Sequence, residues 1–259
     1  MTWLEALILG ILQGLTEFLP ISSSGHLEIG KVLLGTEMDQ SMLFTVIVHG
    51  ATVLSIIVVF WTDIFKLVKG SLQFRLNDSA IYVLKIFISM IPVLIVGIFF
   101  KEQVEWFFSG NLQFVGIMLL VTAVLLTFSY YYNPANKKLT FLSVFVIGIS
   151  QALAVLPGIS RSGATISTGL MLGGKRDEVT RFSFLMVLIP IIGANILDLA
   201  DYDARVVQIN ILPLVVGFIA AFLSGFFACK WMIKIINQGK WIYFAFYCFA
   251  IGLVAIIFG

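Results

Sequence analysis

Two stretches of the chain bring together residue types that could act on an anionic substrate. Residues 13–26 read QGLTEFLPISSSGH and residues 151–164 read QALAVLPGISRSGA. The first supplies a carboxylate, Glu17, a hydroxyl, Ser23, and an imidazole, His26; the second supplies a guanidinium, Arg161. A hydrolytic site needs a nucleophile, a group that moves protons and an electrophilic clamp in distinct places, and these four residues cover those roles. Ser23 and His26 are three apart at the start of an expected helix, so they share a face and the imidazole is within reach of the serine proton. His26 is the alternative nucleophile. Arg161 offers a permanent charge and a forked donor that matches phosphate oxygens.

Structural readings stand beside the chemical ones. Ser22, Ser24, Ser160 and Ser162 each follow a break and precede an apolar helical run, where hydroxyls cap free N–H groups. Glu17 and Arg161 can equally be a structural ion pair. His49 has no comparable company and reads as a packing or polar-network residue. Cys229 and Cys248 lie in apolar stretches without ligand-like spacing and read as small apolar fillers.

The elements that must position these groups belong in a membrane. The 259 residues are 60% hydrophobic and 12% charged, with mean hydropathy +1.05, which excludes an ordinary water-soluble globule. A net charge of +2 gives no footprint for nucleic acid. The opening residues, MTWLEALILGILQGL, lack a basic leader and a small-residue cleavage site, so they are expected to stay in the mature protein. Apolar runs at about 42–61, 81–100, 111–131, 182–198, 211–230 and 241–258 predict six spanning helices of roughly 20 residues. Lys66, Lys69, Arg75, Lys137, Lys138, Lys175, Arg176, Arg181, Lys230, Lys234 and Lys240 fall in alternate connectors, which the positive-inside bias puts in the cytoplasm. The other connectors hold Lys31, Lys101 and Arg205 with Glu37, Asp39, Glu102, Glu105, Asp201 and Asp203, and belong outside.

Residues 3–34 and 141–172 are apolar but broken, by Pro20 and the serines and by Pro157-Gly158 and Ser160-Arg161-Ser162. Each predicts two short helices. A re-entrant hairpin at 141–172 keeps Lys137-Lys138 and Lys175-Arg176 on one side, and the same logic returns the first hairpin to the outer face, leaving both termini outside. Irregular backbone at membrane depth must line protein or a watery cavity.

The two copies superpose Gly10 on Gly148, Gln13 on Gln151, Ser22 on Ser160, Ser24 on Ser162, Gly25 on Gly163 and Phe44 on Phe182. Three spans separate them, so the second copy is inverted and the hairpin tips can meet near the midplane. The expected organisation is one all-α membrane domain, 1–259, with repeats at about 1–131 and 139–259. Small residues four apart, Gly10 with Gly14 and Gly148 with Ala152, predict close helix contacts. The second half-helices direct their positive dipole ends into a shared buried space suited to phosphate or carboxylate. Val155, Arg161 and Ala164 occupy the positions of Glu17, Ser23 and His26 in the second copy. The scaffold is duplicated and the reactive groups are not.

QGLTEFLPISSSGH and PGISRSGAT resemble the two signature motifs of the bacterial undecaprenyl-pyrophosphate phosphatases of the BacA type, in order and over nearly the whole chain. The resemblance implies a bacterial inner-membrane enzyme that removes the terminal phosphate from a polyprenyl pyrophosphate lipid, with its site open to the outer face. By position it implies catalytic roles for Glu17, Ser23, His26 and Arg161. It implies substrate contacts from Gln13, Gly158, Ser160, Ser162 and Thr165, and the repeated tip residues Ser22, Ser24, Gly25 and Gly163 complete the expected substrate-binding set. The family's acidic motif often opens with Glu where this chain has Gln13. A resident ion between two carboxylates loses one ligand, leaving Glu17 and the substrate's phosphates to hold Mg2+ or Ca2+. The rival reading is a transporter or flippase of an anionic lipid, because inverted repeats with broken helices also build secondary carriers.

Overall fold

The computed structural model describes residues 1–34, 38–73, 75–107, 111–132, 135–201 and 211–259. Glu37, Asp203 and Arg205 lie outside the described residues, as do the side chains of Lys31, Asp39, Lys101, Glu105 and Asp201. Among the described residues the chain is all helical: α1 Trp3–Phe18, α2 Ser23–Leu34, α3 Met38–Val59, α4 Trp61–Ser71, α5 Asp78–Phe99, α6 Lys101–Phe107, α7 Leu112–Tyr131, α8 Phe141–Leu153, α9 Arg161–Met171, α10 Arg176–Met186, α11 Leu188–Asp201, α12 Ile211–Asn237 and α13 Ile242–Phe258.

Four stretches, Asp78–Phe99, Leu112–Tyr131, Arg176–Asp198 and Ile211–Asn237, are long and apolar enough to cross a membrane, and a bent pair raises the number to five. This is a multi-pass membrane protein. The outer faces of α5, α7, α12 and α13 leave Leu94, Phe128, Phe227 and Phe246 exposed, as lipid contact requires. The bent pair differs from the expected straight span at 42–61: α3 stops at Val59 and α4 departs at 77°. The pivot, Phe60, is buried against Phe184, with ring centroids 6.0 Å apart. Beyond it α4 buries none of its residues, leaving Trp61, Phe65 and Val68 exposed beside Lys66 and Lys69, the composition of a helix lying in an interface. The expected span at 241–258 is α13, apolar but only 17 residues long.

The two broken regions begin alike. Thr2 caps α1 in a capping box with Glu5, and Thr140 caps α8 in a capping box with Ser143. Pro20 follows the end of α1, where it has no N–H to continue the helix, and Pro157-Gly158 follows α8. α1 packs chiefly on α12, and α8 chiefly on α5. Small residues set these approaches. A Cβ on Gly10 would meet Gly217 O of α12 at 2.5 Å, one on Gly14 would meet Ala221 O at 2.5 Å, and one on Gly148 would collide with Ser89 O of α5. α7 and α13 meet the same way, Gly116 against Gly252 O at 2.7 Å.

The connectors that carry the basic clusters converge at one end. Arg181 joins Asp63 of α4 at 3.1 Å, Lys137 N donates to Gly173 O at 2.8 Å, Leu139 N donates to Glu178 Oε1 at 3.1 Å, and Arg176 lies over the Trp241 ring. The main core includes Phe18, Phe60, Phe182, Phe184, Leu119 and Met186.

Candidate active site

The breaks after α1 and α8 touch. Ser22 sits between α1 and α2 with φ 69°, and its Oγ accepts from Gly25 N at 3.3 Å and from Gly158 N of the other break at 3.2 Å. In return Ser162 Oγ donates to Leu19 O at 3.3 Å. Gly158, at φ 98°, has room for no side chain: a Cβ there would meet Val115 O of α7 at 2.5 Å. Gly25 lies against Val115 and Gly158, and Gly163 against Ser160 and Pro20, so both glycines keep the breaks close. Thr122 of α7 clasps the second break, donating to Gly158 O at 3.1 Å and accepting from Ser160 N at 3.0 Å. The expected caps are present too: Ser160 Oγ accepts from Gly163 N at 3.1 Å, while Ser24 Oγ lies 3.4 Å from Ser22 Oγ.

Four groups converge on the Glu17 carboxylate, which is buried at 6% exposure. Gln13, one turn earlier on α1, donates Nε2 to Oε2 at 2.9 Å. Ser23, the first residue of α2, donates Oγ to the same oxygen at 2.7 Å. Arg161, the first residue of α9, donates Nη2 to Oε1. His49 of α3 presents Nε2 at 3.9 Å from Oε2. Among the described residues, two buried polar atoms here have no partner, Arg161 Nη1 and Gln13 Oε1. Buried donors are nearly always satisfied, so the second guanidinium arm is a place for an incoming anion.

His26 stands elsewhere than the spacing implied. Its Nδ1 is 2.8 Å from Ser22 O and its Nε2 is 2.9 Å from the Tyr247 hydroxyl of α13, with the two rings stacked 5.5 Å apart. A carbonyl only accepts, so Nδ1 carries the proton and Nε2 of the neutral ring accepts from Tyr247. The partner of the Ser23 hydroxyl is therefore Glu17, in place of the expected His26. Helical periodicity put Ser23 and His26 on one face, but α13 captures the imidazole. Thr165 is fully buried and turned inward, its hydroxyl on Arg161 O at 2.9 Å and against Ser183 of α10, where it locks the first turn of α9.

His49, read from the sequence as a packing or polar-network residue, joins the Glu17 network, and Tyr247, like Thr122 and Ser183, is a polar group at the site that the sequence did not single out. Neither His49 nor Tyr247 lies in the repeated phrase, and only the packing of α3 and α13 brings them in. The donor set does not fit a resident Mg2+ or Ca2+. Such ions take six or more oxygens, whereas both Glu17 oxygens are engaged, one by a cation, and the neutral Gln13 stands where a second carboxylate would. Among the described residues no three His, Cys, Asp or Glu side chains converge.

The family described as bacitracin resistance protein BacA matches residues 6–254. The undecaprenyl-diphosphatase of Bacteroides thetaiotaomicron is 53% identical over 261 residues, covering 99% of each chain. That of Parabacteroides distasonis is 52% identical over 260 residues, covering 99% of this chain and 98% of its own. That of Halothermothrix orenii is 40% identical over 257 residues, covering 98% of this chain and 96% of its own. With the matched motifs at the contact of the two breaks, and the match running almost from end to end, the chain belongs to the BacA family.

Proposed function

We infer that the protein is an undecaprenyl-diphosphate phosphatase, hydrolysing undecaprenyl pyrophosphate to undecaprenyl phosphate and inorganic phosphate and so recycling the lipid carrier of cell-wall synthesis. The relatives' shared activity supports this, and one observation carries the chemistry. Ser23 from the first break and Arg161 from the second hold the two oxygens of one carboxylate, with a guanidinium N–H to spare.

The pyrophosphate head enters between the breaks while the prenyl tail stays in lipid, where each CH2 kept from water is worth about 0.8 kcal/mol. Arg161 turns its free arm to the terminal phosphate, assisted by the N-terminal ends of α2 and α9. Glu17 takes the Ser23 proton as Oγ attacks the terminal phosphorus in line. Undecaprenyl phosphate leaves with the electron pair of the broken P–O bond, and water then releases phosphate from Ser23. The 2.7 Å bond from Ser23 to Glu17 favours Ser23 over His26 as nucleophile, because both ring nitrogens of His26 are engaged. Gln13 holds Glu17 in place, and His26 with Tyr247 braces the start of α2. Positioning and charge neutralisation supply most of the acceleration in such transfers. A divalent ion, where one takes part, arrives on the pyrophosphate as part of the substrate.

We propose a finer architecture with this activity: six spans, re-entrant hairpins at 3–34 and 141–172, and inverted repeats at about 1–131 and 139–259 in a single membrane domain of the inner membrane. The matched capping boxes of α1 and α8 support the repeat, as does the exchange of partners, α1 on α12 and α8 on α5. Convergence of the basic connectors at one end supports a cytoplasmic placement of that end, with both termini outside.

Purified protein in detergent, with no compartments, is expected to release phosphate from a long-chain prenyl pyrophosphate. No release, with vectorial lipid movement in vesicles, would replace the enzyme with a carrier.

A further inference from the structure

The fourth neighbour of Glu17 has no role in the steps above. His49 Nδ1 is 2.9 Å from Thr45 O, one turn back on α3, so in the neutral ring Nδ1 bears the proton and Nε2 is a bare lone pair. That lone pair faces Glu17 Oε2 at 3.9 Å, a carboxylate oxygen that already accepts from Gln13 and Ser23. Two acceptors facing each other are an unfavourable arrangement until a proton lies between them. Ser23 is the source of one: when Oγ attacks, its proton reaches Oε2, the oxygen that His49 faces. The carboxylate is nearly sealed, with its side chain 5% exposed and that of Arg161 14% exposed, whereas the His49 side chain is 24% exposed. The imidazole is thus a partly exposed acceptor beside a buried oxygen.

We propose that His49 is the proton acceptor behind Glu17, a positioning residue that acts through the carboxylate and carries the reaction's proton out of the site. The proposal rests on the diphosphatase reading. Attack forms the Ser23 Oγ–P bond, breaks the P–O bond to undecaprenyl phosphate, and passes the hydroxyl proton through Glu17 to His49 Nε2. Water then forms a bond to phosphorus and keeps one hydrogen on the released phosphate. Its other hydrogen goes by way of Glu17 to the freed Ser23 oxygen, and His49 gives the first proton to solvent. One water is consumed and one proton liberated per turnover. The charged groups seen to face this ring are Glu17 of α1 and, through it, Arg161 of α9.

The test compares wild type, Ser23→Ala, His49→Gln and His49→Ala in detergent with a long-chain prenyl pyrophosphate. Gln can occupy the imidazole's place and donate a hydrogen bond to Glu17, yet it takes no proton. His49→Gln is expected to lose about 100-fold or more in kcat, the usual worth of a positioned acid–base group, with KM within about twofold and unchanged thermal unfolding. Added imidazole should restore part of the His49→Ala rate in proportion to its free-base form, and should restore nothing to Ser23→Ala. A His49→Gln enzyme within twofold of wild-type kcat, a loss confined to KM, or a His49→Ala enzyme indifferent to imidazole would overturn the relay. Inactive wild type, or Ser23→Ala as fast as wild type, would instead overturn the diphosphatase reading on which the relay depends.

Discussion

A carboxylate and a guanidinium buried together are costly to bring out of water, and the attraction between them repays that cost only with good geometry and further hydrogen bonds. Glu17 has these further bonds, from Gln13 and Ser23, whereas Arg161 keeps one arm free. A pair built purely for stability would not leave that donor unmet, which is the residue-level argument for an anion between the breaks. Arg161→Lys keeps the charge but loses the fork, so it is expected to remain folded and lose about 100- to 1,000-fold in kcat, measured as phosphate release. Tyr247→Phe removes the hydroxyl from His26 but leaves the ring stack; it should cost about 1 kcal/mol of stability, seen in thermal unfolding, and leave Ser23 bonded to Glu17. Glu17, Ser23 and Arg161 were legible in the sequence because they break a repeated phrase. His49 was legible only as a polar-network residue and Tyr247 not at all, because α3 and α13 deliver them from outside it, and neither element announces which of its turns faces the site.

The breaks themselves are the elements that matter, and small residues hold them shut. Gly158→Ala would press a methyl into Val115 O from a backbone conformation that other residues rarely adopt. The overlap alone is worth about 1–3 kcal/mol, so the variant should unfold several degrees lower and lose activity with it. Gly97→Ala, on the exposed side of α5 with nothing within 4 Å, is the matched control. It should be neutral or more stable by up to about 1 kcal/mol, since glycine weakens a helix interior. Both helix breaks could be read from Pro20 and from Pro157-Gly158. The 77° turn after α3 could not, because the run through Phe60 and Trp61 carries no glycine or proline. The contact at that bend is a distant one, Phe60 on Phe184.

At the scale of the whole molecule the site is lopsided: acid and hydroxyl come from one break, cation from the other. The likeness of the two breaks was written in the sequence as the offset between Gln13 and Gln151. Which helices exchange partners was not, since that depends on where glycines let backbones approach. A cysteine added after Gly259 is expected to react with an impermeant maleimide in intact cells, whereas one at Lys138 should react only after the membrane is opened. The opposite pattern would turn the protein over in the membrane. Cys229 and Cys248 are buried and should give little background.

On this reading both breaks form a single site in which Ser23 attacks under the grip of Arg161. The most direct measurement quenches the enzyme during turnover of a prenyl pyrophosphate labelled in its terminal phosphate, in acid and in alkali, and maps the label by mass spectrometry. Label on Ser23 in the wild type, lost in Arg161→Ala, is the predicted result. Label on His26, or label on Ser23 undiminished without Arg161, would contradict it.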